Sequence, residues 1–439
     1  MSAANSTFLV LSSILVLFMT PGLAFFYGGL VTKRNVVNTM LSVFMICGLA
    51  ILLWVLVGYS LSFSGDFGGV VGDLKAIWLH GVDLSALTPT KIPTGLYMIF
   101  EMMFAIITPA LFVGAVVGRI RFKFLLSFII CWSILIYYPM VHMVWDNGFL
   151  AHLGVIDFAG GTVVHINAGI TALVLSAFLG PRYNYSKGKP QEHYNILWVL
   201  LGTVILWIGW YGFNAGSALA MNGIAVQAFL TTTVATATSM MTWMVIDMIT
   251  KGKPTLVGVC TGTLCGLVGI TPACGYVTTS GAFWIGLIAT MTSYAFITLL
   301  KPRLGIDDAL DAFGCHGVSG IMGSIMTGLF ATKAVNSTIT TNGLFYGGGF
   351  KLFGLQLLAT GFTIAFTTVL CIGIIVILKR VVKMRVDVDE EKLGLDQGEH
   401  GEVADYTVPM SSELTDIQNH SNEFQGQLAK LMNNHQRFR

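Results

Sequence analysis

The chain has 439 residues, of which 54% are hydrophobic and only 10% charged, with a net charge of +2 at pH 7 and a mean hydropathy of +0.75. Soluble domains carry about 25% charged residues, so this composition excludes an ordinary water-facing surface. The small net charge leaves no electrostatic footprint for nucleic acid.

A bilayer core of about 30 Å needs about 20 apolar residues per crossing helix. In chain order, eleven stretches qualify, at 6–31, 37–62, 95–118, 122–144, 161–180, 195–220, 225–249, 254–274, 280–300, 308–331 and 354–380. The sequence thus predicts an all-α integral membrane protein. Gly, Pro, Ser and Thr recur within the stretches, which suits helices packed closely on one another. The first stretch reads as a span rather than a cleaved signal: no Lys or Arg precedes it, and its apolar run is too long.

Loop charges set the expected orientation. The odd-numbered connections hold Lys33, Arg34, Arg119, Arg121, Lys123, Arg182, Lys187, Lys189, Lys251, Lys253, Lys301 and Arg303, twelve in all; the even-numbered ones hold four, Lys75, Lys91, Lys333 and Lys351. The odd loops are therefore expected in the cytoplasm, with the N-terminus outside and the C-terminus inside. Lys379, Arg380, Lys383 and Arg385 follow the last span and agree.

From about 386 the chain turns polar. This divides it into a transmembrane domain, 1–385, and a cytoplasmic tail, 386–439. Within 411–432, Leu414, Ile417, Phe424, Leu428 and Leu431 stand among polar residues, a pattern that fits an amphipathic helix or a disordered end equally well. Seven cysteines, at 47, 131, 260, 265, 274, 315 and 371, form no CxxC pair, so buried free thiols are expected rather than a metal or disulfide framework.

The fifth stretch reads Asp157-Phe-Ala-Gly-Gly-Thr-Val-Val-His165-Ile-Asn-Ala-Gly169-Ile170. The tenth reads Asp308-Ala-Leu-Asp-Ala-Phe-Gly-Cys-His316-Gly-Val-Ser-Gly320-Ile321. Both fit D-x7-H-x3-G-I. Copies five helices apart run in opposite directions, the mark of inverted repeats, here helices one to five and six to ten plus one extra helix. Eight residues of helix rise about 12 Å, which would carry each histidine from its own membrane face to near the midplane and set His165 beside His316. The repeat glycines would let the backbones approach. Ionisable groups at that depth are costly and mostly functional. Two imidazoles are able to share one N–H···N bond and leave a donor and an acceptor for a small polar solute. A metal site is the alternative, but no third ligand of suitable spacing accompanies the pair.

These residues, with Phe18-Met-Thr-Pro-Gly-Leu-Ala-Phe-Phe-Tyr-Gly-Gly29, His142-Met-Val-Trp145, Gly209-Trp-Tyr-Gly-Phe-Asn-Ala-Gly-Ser217, Thr271-Pro-Ala-Cys-Gly-Tyr276 and Gly314-Cys-His-Gly317, resemble the ammonium transporters of the Amt/Mep/Rh family, on the Amt branch. The resemblance covers residues 8 to about 406. It implies a plasma-membrane homotrimer with one pore per subunit, embedded in the lipid bilayer and carrying ammonium or ammonia, with no enzymatic activity and no cofactor or metal. It further implies an outer recruitment site of Trp145, Phe104 and Ser217 with Asp157 beneath, a gate of Phe104 and Phe213, and a pore lining of His165 and His316 with Trp210 and Tyr27 nearby. A cation over a Trp face gains about 0.5–2 kcal/mol. A serine hydroxyl accepts an N–H bond that potassium is unable to donate. For Asp157 a helix-capping role and direct substrate contact remain equal alternatives.

The sequence departs from the family at three places. Glu101 stands where Gln is usual, and a carboxyl at that depth is expected to be protonated or paired. Gly118 stands where Glu is usual, removing an acidic residue expected to brace the tail. The stretch Gly394–Tyr406 resembles the regulatory tail, with one residue inserted before Tyr406. In microbial members that tail implies a PII-type nitrogen-signalling partner on the cytoplasmic face, with loop 181–193 (Arg182, Lys187, Lys189) as a second docking element. The competing readings are an ammonium receptor that signals through its tail and a Rhesus-type gas channel. The vestibule tryptophan and the FNAGS segment speak against the latter.

Overall fold

The computed structural model describes residues 1–188 and 192–405. Their helices follow in chain order as α1 (Ala3–Leu30), α2 (Lys33–Phe63), α3 (Thr94–Val116), α4 (Phe122–Leu153), α5 (Gly161–Leu179), α6 (Ile196–Gly216), α7 (Gly223–Lys251), α8 (Leu256–Ile270), α9 (Thr279–Leu304), α10 (Ser319–Phe330, entered through a π-helical turn at Phe313–Val318) and α11 (Phe350–Leu378). Nine of them, all but α8 and α10, are long and apolar enough to cross a bilayer. Among the described residues there is no strand, only isolated bridges.

α8 and α10 fall short of the stretches expected at 254–274 and 308–331. Residues 271–277 leave the helix as a turn that begins Thr271-Pro272, while Asp308–Asp311 form a turn in which Asp311 takes φ of 58°. Outward faces remain apolar: Leu52 is 66% exposed on α2, Ile249 78% on α7 and Val369 66% on α11. In water this would be an aggregation surface; in a bilayer it meets lipid.

α1 packs along α6, the matching helix of the second repeat. Glycines bring the two together. A Cβ on Gly202 would lie 2.4 Å from the Phe26 backbone nitrogen, and one on Gly22 would lie 2.6 Å from Ile205. With little hydrophobic force between helices in lipid, close approach supplies the packing energy.

The first, third, fifth and ninth connections meet at one end of the bundle, where residues 384–405 cross the first three. Arg121 N–H bonds to the Met384 carbonyl and Val386 N–H to the Arg119 carbonyl. Arg121 pairs with Glu390 at 2.6 Å and Glu399 at 3.0 Å. The Asn38 amide donates to Asp396 at 2.8 Å, and Lys33 pairs with Asp405 at 3.0 Å. The tail is thus held without an acid at position 118. Gly118 adopts φ of +76°, where a glutamate would be strained. Tyr406, Lys189 and the segment 411–432 lie outside the described residues. All seven cysteines are free, five buried and two half-buried.

Candidate transport pathway

The two copies of the repeat fold alike. In the first, the Asp157 carboxylate accepts the backbone N–H groups of Gly160, Gly161, Thr162 and Val163, together with the Thr162 hydroxyl. In the second, Asp308 accepts those of Ala312 and Phe313 at 2.9 and 2.8 Å. Each aspartate satisfies the orphan donors of a helix start. Gly160 turns the chain at φ of +112°, and π-helical turns at Gly161–Ile166 and Phe313–Val318 then carry the histidines. The first residues of each copy are therefore turn, not helix, so the helical rise to each histidine is shorter than the eight-residue estimate.

The repeat glycines lie where the copies cross. A Cβ on Gly169 would sit 2.3 Å from the Gly317 Cα, and one on Gly320 would sit 3.0 Å from the His165 Cβ. The imidazoles of His165 and His316 face each other at 5.4 Å between centroids, 15° from parallel, at 1% and 3% exposure. The shared N–H···N bond is not formed. Both ring nitrogens of His165 and Nδ1 of His316 lack a hydrogen-bond partner among the described residues, because stacking points their edges away from each other.

An aromatic column continues from the pair. His165 stacks on Trp210 at 5.3 Å and on Phe213 at 5.9 Å. Phe213 lies 4.4 Å from Phe104 at 38°, and Phe104 meets Trp145 edge-on at 5.8 Å. Trp210 is fixed by a bond from its indole N–H to the Thr271 hydroxyl at 2.9 Å. The Trp145 indole donates to the Asp157 carbonyl at 2.9 Å. Asp157 therefore engages its carboxylate with the helix start and its carbonyl with Trp145, a positioning geometry. Tyr27 stands apart, its hydroxyl bonded to the Leu111 carbonyl at 2.7 Å.

Beyond Phe104 a cavity of about 120 Å³ is lined by Tyr97, Glu101, Phe104, Trp145, Phe158, Ser217 and Leu219. The Ser217 hydroxyl donates to the Phe213 carbonyl at 2.8 Å, which leaves its lone pairs to accept. Tyr97, Phe158 and Leu219 were not anticipated. Phe158 was within reach, because it directly follows Asp157 and packs on Gly275 of the Thr271–Tyr276 motif, where a Cβ would lie 2.0 Å from its ring. Of the two states expected of Glu101, protonated or paired, no pairing with a described residue is present.

At the opposite end, a cavity of about 740 Å³ opens between the basic connections and the tail, with Lys33, Arg182, Lys301 and Asp405 among its lining. Arg182 is held there by a two-pronged contact with Asp307, both bonds 2.8 Å. The Arg119 guanidinium donates to the Asp307 carbonyl beside it. Hydrogen bonds from Arg182, with both arginines nearby, hold the Asp307 carboxyl below its ordinary range despite burial, which pushes the other way. Arg182 is thus also engaged within its own chain.

Apolar outward faces on a bundle of long helices, with a buried file of aromatic and imidazole rings inside, define a multi-pass membrane protein with a lined interior path. The profile of the Ammonium Transporter Family matches residues 7–405. The ammonium transporter of Aquifex aeolicus (strain VF5) is 43% identical over 406 residues, 92% of this chain and 94% of that one. The crystal structure of Saccharomyces cerevisiae Mep2 superposes with a TM-score of 0.83 at 33% identity, covering 93% of this chain and 94% of that one. A structure described as a sensor Amt protein matches with a TM-score of 0.83 at 27% identity, covering 90% and 98%. The chain belongs to the ammonium transporter family.

Proposed function

We propose that the protein recruits ammonium in the cavity at Trp145, where the ion gives up its proton to water, and passes ammonia between Phe104 and Phe213 and along His165 and His316. The unbroken ring column from Trp145 to His316 carries this reading. Trp145 supplies the cation-attracting face and Ser217 an acceptor. Asp157 and Trp210 act by holding Trp145 and the His165 ring, and Tyr27 belongs to the scaffold beside the path. In this reading all eleven helices cross the bilayer as two inverted five-helix halves plus α11. The basic odd loops and the tail 386–439 face the cytoplasm. Three copies assemble, each with its own pore, and a PII-type partner docks on the cytoplasmic face.

Ammonium pulses on purified protein in liposomes on a solid-supported membrane test the reading, with a triggered current expected. Trp145→Leu keeps bulk but removes the ring quadrupole. Its half-saturation for ammonium is expected to rise roughly 2- to 30-fold, as loss of about 0.5–2 kcal/mol requires. An unaltered concentration dependence would leave Trp145 as packing alone.

The likeness to the sensor Amt protein, with a tail docked on three connections, favours one second reading, an ammonium sensor signalling through that tail. Ammonium binding without any current would select it.

A further inference from the structure

Glu101 lies on α3 one turn before Phe104 and lines the cavity with Trp145 and Ser217. It is 8% exposed. No hydrogen bond or ion pair from a described residue reaches its carboxyl. The other carboxylates around this end are engaged. Asp157 holds the start of α5. Asp66 and Asp146 flank the ring nitrogens of His142 at 3.1 and 3.2 Å. The cavity lining contains no Lys or Arg. A buried acidic group without a partner is costly to a fold, and here it opens into a cavity of about 120 Å³, several times what one water needs.

We infer that Glu101 is a cation ligand, a carboxylate that accepts N–H bonds from the incoming ammonium or small primary alkylammonium ion and balances its charge. The inference rests on the cavity being the recruitment site and adds to it a residue that sets affinity. Trp145 and Ser217 offer a quadrupole and a neutral acceptor; Glu101 is the only acidic residue in the lining, and an incoming cation favours its ionised form. Potassium would gain the charge but not the N–H bonds.

Glu101→Gln keeps size and an acceptor oxygen while removing charge. Methylammonium chloride is titrated into purified full-length protein by calorimetry, at ionic strength held with sodium chloride, on wild type, Glu101→Gln, Glu101→Asp and Trp145→Leu. A charged hydrogen bond exceeds a neutral one by about 1–1.5 kcal/mol, so Glu101→Gln is expected to bind roughly 5- to 15-fold more weakly, with Glu101→Asp between it and wild type. Equal thermal unfolding of wild type and Glu101→Gln verifies that the fold is intact. Equal affinity in those two proteins overturns the role of Glu101. If Trp145→Leu weakens binding while Glu101→Gln does not, only that role falls. If neither does, or if wild type binds no methylammonium, the recruitment site falls with it.

Discussion

His165→Ala together with His316→Ala is expected to abolish the ammonium-triggered current or its selectivity. Moving a bare ion into an apolar interior costs of order 20 kcal/mol by the Born estimate, before relaxation. Between Phe104 and His316 the column offers rings, with few oxygens to replace a hydration shell. No carboxylate of a described residue pairs with either histidine to add negative charge. A neutral solute avoids that cost and gains from imidazole edges left open: His165 has both nitrogens unpartnered and His316 its Nδ1. An uncharged ammonia has a lone pair to accept and N–H groups to donate, which matches a donor and an acceptor on each ring. Any net charge movement then belongs to a proton that travels separately. In the double alanine variant the stacked rings are gone, and the space they leave admits water and other cations. Currents recorded with ammonium, methylammonium and potassium pulses decide the matter. An unchanged current with unchanged selectivity would remove the histidines from the route.

Deleting residues 386–439 is expected to lower transport or uncouple its control, whereas deleting 411–439 leaves transport intact. The difference follows from which residues touch the bundle. Asp387 and Glu390 form a capping box at Val388–Leu393, and Glu390 also reaches Arg121 at 2.6 Å. Glu391 pairs with Arg385 at 2.8 Å and accepts the Tyr183 amide at 2.6 Å. Asp396 takes the Asn38 amide, and His400 lies 2.9 Å from the Asn38 side chain and edge-on to Phe122. A hydrogen bond to a charged group contributes about 1.5–3 kcal/mol, less where the partners are partly solvated, so together these contacts fix the start of α2, α3's exit and α4's entry to one strap. The longer deletion leaves Arg121 with no carboxylate among Asp387, Glu390 and Glu399. The shorter one spares every contact named here. Transport rates of the two truncations, compared with full length in the same liposomes, separate them; equal rates in all three would reduce the strap to packing. Co-purification with a PII-type protein, run on the full-length and 386-truncated forms, tests the docking proposal. A three-fold partner repeats one contact three times and gains avidity, so recovery is expected only with the tail present. Equal recovery would put docking elsewhere.

The sequence by itself determined the membrane class, the eleven apolar stretches from which the helices form and the pairing of His165 with His316. Runs of apolar residues and an exact D-x7-H-x3-G-I repeat are properties of the chain, and the bilayer leaves helices or closed barrels as the means to satisfy a backbone. The close backbone approach at Gly169 and Gly320 also follows from the repeat, since only small residues let two backbones meet. Tertiary structure alone decided the rest. Whether two imidazoles stack or share a proton depends on ring rotation, which packing against Trp210 and Phe213 fixes. Whether Asp157 holds a helix or meets a solute depended on the turn at Gly160, and Gly118 proved to be a requirement of φ rather than a missing acid. Tyr97, Phe158 and Leu219 come to the cavity from separate segments, and no spacing along one segment encodes a lining drawn from several. That Arg182 is bound to Asp307 and that no described residue pairs with Glu101 are likewise facts of distance between remote residues.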